Sequence, residues 1–183
     1  MILPGVIASS GGVASSYESI ATTTLTTSTA TVTFSSIPAT FTHLQVRGIS
    51  RSVSTSTGGM WCKIYLNGDT TTSNYAAHVL YGNGATASAQ GFASSGLTQY
   101  CFYTAHAGDN SWGDLVLDLL DYRNTNKYKT TRTLYGYDAN GSGLVGSGSE
   151  LWMNTNAVTS LTIDNTGANF AQYSSFALYG VKA

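Results

Sequence analysis

Charge is scarce in this chain. Asp, Glu, Lys and Arg make up 9% of its 183 residues, against about a quarter in ordinary soluble domains, so its solubility rests on hydroxyls and amides. The basic residues are scattered from Arg47 to Lys182 and the formal net charge is −1. With no cationic stripe to neutralise phosphates, nucleic acid is not expected as a partner. Long apolar runs are missing too. None approaches the about 20 residues that a membrane-spanning helix needs, so no membrane partner is expected either. The N-terminal MILPGVIASS lacks a basic region and its apolar run breaks at Pro4 and Gly5, unlike a signal peptide; it reads as part of the mature protein.

Cysteine is equally sparse. Cys62 and Cys101 each sit in a strand-like run; a cross-strand disulfide and two buried free thiols are both open readings, and neither residue has metal-ligand spacing. A chain of this length forms one domain that buries roughly 70% of the surface its unfolded form exposes, so no covalent or metal staple is required. Sustained helical periodicity with caps is absent between residues 17 and 183.

What is present is alternation with period two, the signature of strands with one buried face. Ala30, Val32 and Phe34 alternate with threonines and a serine until Pro38 ends the run. Leu44 and Val46 oppose Phe41, His43, Gln45 and Arg47, with Gly48 read as a bulge. Cys62, Ile64 and Leu66 oppose Trp61, Lys63 and Tyr65, and Asn67-Gly68 then supplies a turn. Residues 70–98 are weaker: NYAAHVLYG reads as a strand or a short helical turn, and GNGATASAQGFASSG as a low-complexity loop. QYCFYTAH is strand-like. Leu115, Leu117 and Leu119 share one face, with Asp114, Val116 and Asp118 on the other. KYKTTRTLYGYD is β-branched and aromatic, and DANGSGLVGSGS (138–149) reads as an exposed loop. The last third, 151–183, organises the rest: Leu161 and Ile163, then Phe176 and Leu178, form two alternating runs around a turn at 164–167, read as a closing hairpin whose final strand is pinned inside a sheet.

Roughly eight to ten short strands without intervening helices predict an all-β fold, a two-sheet sandwich or a barrel, and the antiparallel two-sheet sandwich is the reading adopted. Residues 17–183 form the sandwich. Residues 1–16 form an extended N-terminal arm, an apolar tip (Ile2, Leu3, Pro4, Val6, Ile7) on a Gly/Ser tether that either frays or docks on a neighbouring subunit or larger assembly.

Searches for chemistry return little. His43, His78 and His106 are far apart and have no partners at ligand spacing, so no metal or cofactor is expected. Asp114 and Asp118 on one strand stand about 13 Å apart, too wide for paired glycosidase carboxylates. There is no G-x-S-x-G elbow, and the glycines of GNGATASAQG lack a P-loop lysine. DANGSG only brushes a calcium-loop pattern, and Asn140-Gly141-Ser142 matches a glycosylation sequon that nothing else supports. The chain reads as non-enzymatic. Its twelve tyrosines and three tryptophans suit an interface or a sugar-binding surface, or simply cover a β surface.

ILPGVIASS, YESIATTTL, VTFSSIPATFTHLQVRG, YLNGD, SNY, DYRNTNKYKT, AVTSLTI, GANF and SSFALYGVKA, in this order, resemble a widespread group of tailed-phage virion proteins. The likeness is weakest over residues 82–112 and 138–150. It implies a jelly-roll-like sandwich on the virion surface, assembled in the host cytoplasm and often a homotrimer, that acts as head decoration, cement or tail-fibre protein. Its implied partners are the major capsid protein or other virion proteins, with the arm docking on the shell or an adjacent protomer. The alternative is a receptor-binding tail-fibre module that holds host glycans with loops 82–96 and 138–149 and the flanking Tyr81, Tyr100 and Tyr137.

Overall fold

Short alternating segments cannot bury their apolar faces singly, and the chain solves this by stacking two antiparallel sheets. The computed structural model describes residues 15–55, 60–93, 100–105 and 110–182, without the side chains of 100–103. Residues 1–14 of the proposed arm, with Ile2, Leu3, Pro4, Val6 and Ile7, lie outside the described residues, as does His106. The strands are β1 (Tyr17–Thr24), β2 (Thr31–Phe34), β3 (His43–Ser50), β4 (Met60–Leu66), β5 (Tyr75–Gly82), β6 (Ala87–Ala93), β7 (Tyr100–Thr104), β8 (Gly113–Leu120), β9 (Lys129–Asp138), β10 (Gly143–Trp152), β11 (Leu161–Asn165) and β12 (Ser175–Val181), with one 3-10 turn at Thr72–Asn74.

The large sheet runs β1-β12-β3-β8-β9-β10-β5-β6 and the small one β2-β11-β4-β7. Antiparallel pairing of β1 with β12, β2 with β11, β3 with β8 and β4 with β7 is that of one long hairpin rolled over on itself, with the strands along each of its arms falling alternately in the two sheets. That is a jelly roll. Two further hairpins, β5–β6 and β9–β10, are inserted into it and extend the large sheet beyond β8.

The alternating residues meet between the layers. Leu115, Leu117 and Leu119 of β8, Leu44 and Val46 of β3, and Phe176 and Leu178 of β12 face Val32, Phe34, Ile64, Leu161 and Ile163 of the small sheet in one buried cluster. Each such side chain contributes about 1.5–3 kcal/mol on burial.

The structure corrects four expectations. The two closing runs are not a hairpin: β11 lies in the small sheet and β12 in the large one, and the connection between them threads Phe170 into the core, paired with Thr29. Alternation says that each strand has one buried face, not which sheet holds it. Gly48 is not a bulge, since β3 keeps continuous register with both neighbours. It is a gap for a ring, because a Cβ there would lie 2.6 Å from Cδ1 of Phe176. Residues 87–93 of the low-complexity loop are the edge strand β6, held by its backbone ladder to β5 while its side chains stay largely exposed. Finally, 138–149 is mostly strand β10, inside the large sheet. Its small residues are needed there, since a Cβ on Gly146 would sit 2.5 Å from Cζ of Tyr135.

Two charged side chains hold connections in place. Lys129 is buried, and its ammonium donates to the carbonyls of Asn124 (2.6 Å), Lys127 (3.1 Å) and Thr155 (3.0 Å), joining the β8–β9 and β10–β11 connections. Asp69, after the Asn67-Gly68 turn, accepts from Trp152 Nε1 (2.8 Å), Asn74 Nδ2 (2.8 Å) and Thr71 N (2.9 Å). Partial burial pushes its carboxyl up, but these donors outweigh that and hold it below the usual range. Asp69→Ala strands the buried Trp152 indole donor and is expected to cost about 2 kcal/mol, read as a lower urea midpoint with an unchanged slope. An unaltered midpoint would deprive these contacts of any weight.

Candidate functional site

The two inserted hairpins bring their turns to the same end of the large sheet. In the β9–β10 turn Asn140 and Gly141 both have positive φ (58° and 93°) and Ala139 N donates to Ser142 O at 2.6 Å. That is the two-residue, left-handed loop Asn-Gly favours. In the β5–β6 turn Asn83 Oδ1 accepts from Ala85 N (3.0 Å) and Thr86 N (2.8 Å), and Gly84 takes φ 85°. Because β10 pairs with both β9 and β5, the turns flank one another.

A cleft of about 490 Å³ opens between them, lined by both turns, Trp112, Asp114, Gly136, Tyr137, Val145 and Gly82. Its floor follows from cross-strand register. Asp114, Gly136, Val145 and Gly82 form one row across β8, β9, β10 and β5 on the outer face, and the two glycines leave a trough on either side of Val145. Trp112 forms a wall. Arg51 stacks on its ring, 4.9 Å from the centroid, and is itself held by Asn110 Oδ1 at 3.0 Å. Asp138 Oδ1 accepts from Gly141 N at 3.0 Å; Oδ2 of Asp138 and Nδ2 of Asn83 take no part in these turn bonds. The cleft therefore offers a half-buried indole beside exposed carboxylates, an amide and the Ser142 hydroxyl.

The sequence-derived candidates are distributed as follows. Both glycine-rich segments reach the cleft and Tyr137 lines it. Tyr81 instead packs edge-on against Trp61, 6.2 Å between centroids, and the Tyr100 side chain lies outside the described set. Trp112 carried no local signal in the sequence. Asp114 and Asp118 share the outer face, but only Asp114 reaches the cleft. His43 lies on β3, where its Nδ1 accepts from Asp121 N at 2.9 Å. His78 is exposed on β5, and three strands of the sheet separate β3 from β5. The Lys127 ammonium bonded to Asp121 holds that carboxyl below its usual range against the opposing effect of burial. Among the described residues no three His, Cys, Asp or Glu side chains group as metal ligands do. Cys62 has a buried thiol on β4 and is set opposite Phe102, while the Cys101 side chain lies outside the described residues. Burial, and then the charge of Asp164, push the thiol well above its ordinary range.

One buried acid lies away from the cleft. Glu150, on the inner face of β10, accepts from Thr133 Oγ1 at 3.0 Å and from Thr131 Oγ1. Burial pushes its carboxyl up to about 7, although the two threonine hydroxyls act in the opposite direction.

No protein-family model and no curated protein matches the sequence.

Proposed function

We propose that this chain is a non-enzymatic structural protein of a tailed-phage particle, decorating or cementing the capsid exterior. It would assemble in the host cytoplasm, act as a homotrimer, and contact the major capsid protein or another virion protein.

The observation that carries this reading is the outer face of the large sheet. Leu134 (60% exposed) and Leu80 (59%) lie in one row across the strands on either side of Ser147, and Val145 (62%), two residues from Ser147 on β10, is the diagonal neighbour of both, while Ile49 (50%) lies farther out on β3 beyond Asp114 and Gly136. Large apolar side chains exposed together on one face of a folded domain mark a surface suited to being covered, and Leu134, Val145 and Leu80 form such a group around Ser147. Polar side chains border it: Gln45 Nε2 donates to Asp118 Oδ1 in the adjoining row, and Arg47, which ends the leucine row on β3 beside Val116, donates Nε to Gln45 Oε1, both at 2.8 Å. An apolar centre with a polar margin is the usual build of a protein interface. The jelly roll suits the role, since it recurs in capsid domains, and the phage likeness of the sequence points the same way.

The cleft between the inserted hairpins favours a second reading, a tail-fibre module that binds host glycans. Quantitative mass spectrometry of purified particles separates the two. Hundreds of copies per particle are expected for a shell protein and a handful for a fibre; a chain absent from particles would contradict both.

A further inference from the structure

The cleft deserves a ligand class of its own, argued from its chemistry and resting on the second reading above. It is open to solvent at the end of the sheet, and its lining mixes one indole with hydrogen-bonding groups instead of forming a greasy pocket. An indole fixed from behind gives a flat apolar surface, here braced by the Arg51 guanidinium and, through it, by Asn110. Carboxylates at Asp114 and Asp138 accept hydrogen bonds, Asn83 Nδ2 can donate, and Ser142 Oγ, which donates to Ala139 O at 3.3 Å, can accept. A saturated ring whose C–H bonds make one apolar face inside a hydroxylated margin matches this set.

The charges narrow the class further. The lining contains two acidic side chains, Asp114 and Asp138, and no Lys or Arg. Like charges brought together in a site oppose binding, so phosphorylated, sulfated or carboxylated ligands are disfavoured. A lone metal ion does not fit either, with no third ligating side chain grouped there among the described residues.

We propose that this cleft binds an uncharged sugar ring, stacked on Trp112 and hydrogen-bonded by Asp114, Asp138 and Asn83. The absence of side chains at Gly82 and Gly136 gives the ring its floor. Gly82 provides a clean way to close the site, since a Cβ there meets only Thr86 O, at 3.7 Å, an ordinary contact.

The test is calorimetric titration of the full chain with the methyl glycosides of glucose, galactose and N-acetylglucosamine, and with sialyllactose as the acidic comparison. At least one neutral glycoside should bind in the millimolar range expected of a shallow site, and sialyllactose should bind more weakly. Trp112→Ala and Gly82→Val should each weaken that binding by about tenfold or more while both variants keep the wild-type circular dichroism spectrum. The proposal is overturned by no heat with any neutral glycoside, by preference for sialyllactose, or by wild-type affinity in either folded variant. Copy number per particle does not enter this experiment, so the cleft can fail while the fibre location stands, and the reverse.

Discussion

Replacing Glu150 by glutamine should stabilise the protein above neutral pH and remove most of the pH dependence of its stability between pH 5 and 8. Glu150 is 8% exposed, and among the described residues its carboxyl accepts from the hydroxyls of Thr131 and Thr133 and from its own backbone N–H. Lys129, on the same face of β9, turns its ammonium to backbone carbonyls instead. A carboxylate buried without a cation is costly, so the folded state keeps its proton up to about pH 7, against an ordinary value of 4.5. The folded chain therefore binds more protons than the unfolded chain across that interval. Its stability from this group is fully present below about 4.5 and is lost as pH rises through about 7. The whole effect is on the order of 3 kcal/mol. Asp69 and Asp121, both held below their usual range, act with opposite sign, and their contribution is lost only as the medium becomes more acidic than that range. Urea unfolding at pH 5 and pH 8 reads the difference: the wild type should lose a few kcal/mol across the interval and Glu150→Gln should stay nearly flat. Parallel slopes for the two proteins would remove Glu150 as the cause.

The second large effect concerns association. The double variant Leu80→Glu, Leu134→Glu should fold normally and fail to assemble. Both side chains are about three-fifths exposed on the outer face, and changes at such positions away from packing usually alter stability by no more than about 0.5 kcal/mol each. In a covered interface the same changes forfeit roughly 1.5–3 kcal/mol of burial per leucine and require charge to be desolvated without a partner. Self-association and particle attachment should therefore weaken by at least about a hundredfold. Sedimentation equilibrium of the pure chain and co-sedimentation with particles lacking it provide the readouts. Assembly at wild-type concentrations by the double variant would leave the apolar row without a role.

Much of the scaffold is legible in the sequence, for a local reason. Leu115, Leu117 and Leu119, or Cys62, Ile64 and Leu66, declare a buried face through alternation alone, and Asn67-Gly68 declares its turn, with φ 53° and 69°. Where side chains are small the signal vanishes. β6 consists chiefly of alanine, serine and glycine at a sheet edge, and β10 admits Gly146 because Tyr135 fills the space above it. The Asn140-Gly141 pair inside DANGSG was a usable hairpin signal, hidden by the glycine content around it. Sheet membership is non-local: nothing in Leu161–Asn165 tells it from Ser175–Val181, though they lie in opposite layers. The cleft is harder still to foresee, because it exists only once β10 has paired with β9 on one side and β5 on the other. Trp112 then becomes a wall although no residue near it in sequence announces one.

The most direct test of the structural role is an image reconstruction of the intact particle at a resolution that separates strands. The account predicts jelly-roll densities on the outer shell, with the β8–β9–β10–β5 face and its leucines Leu80 and Leu134 covered by a neighbouring copy or by the capsid. Density that leaves this face open to solvent, or a shell that carries no such domain, would contradict it.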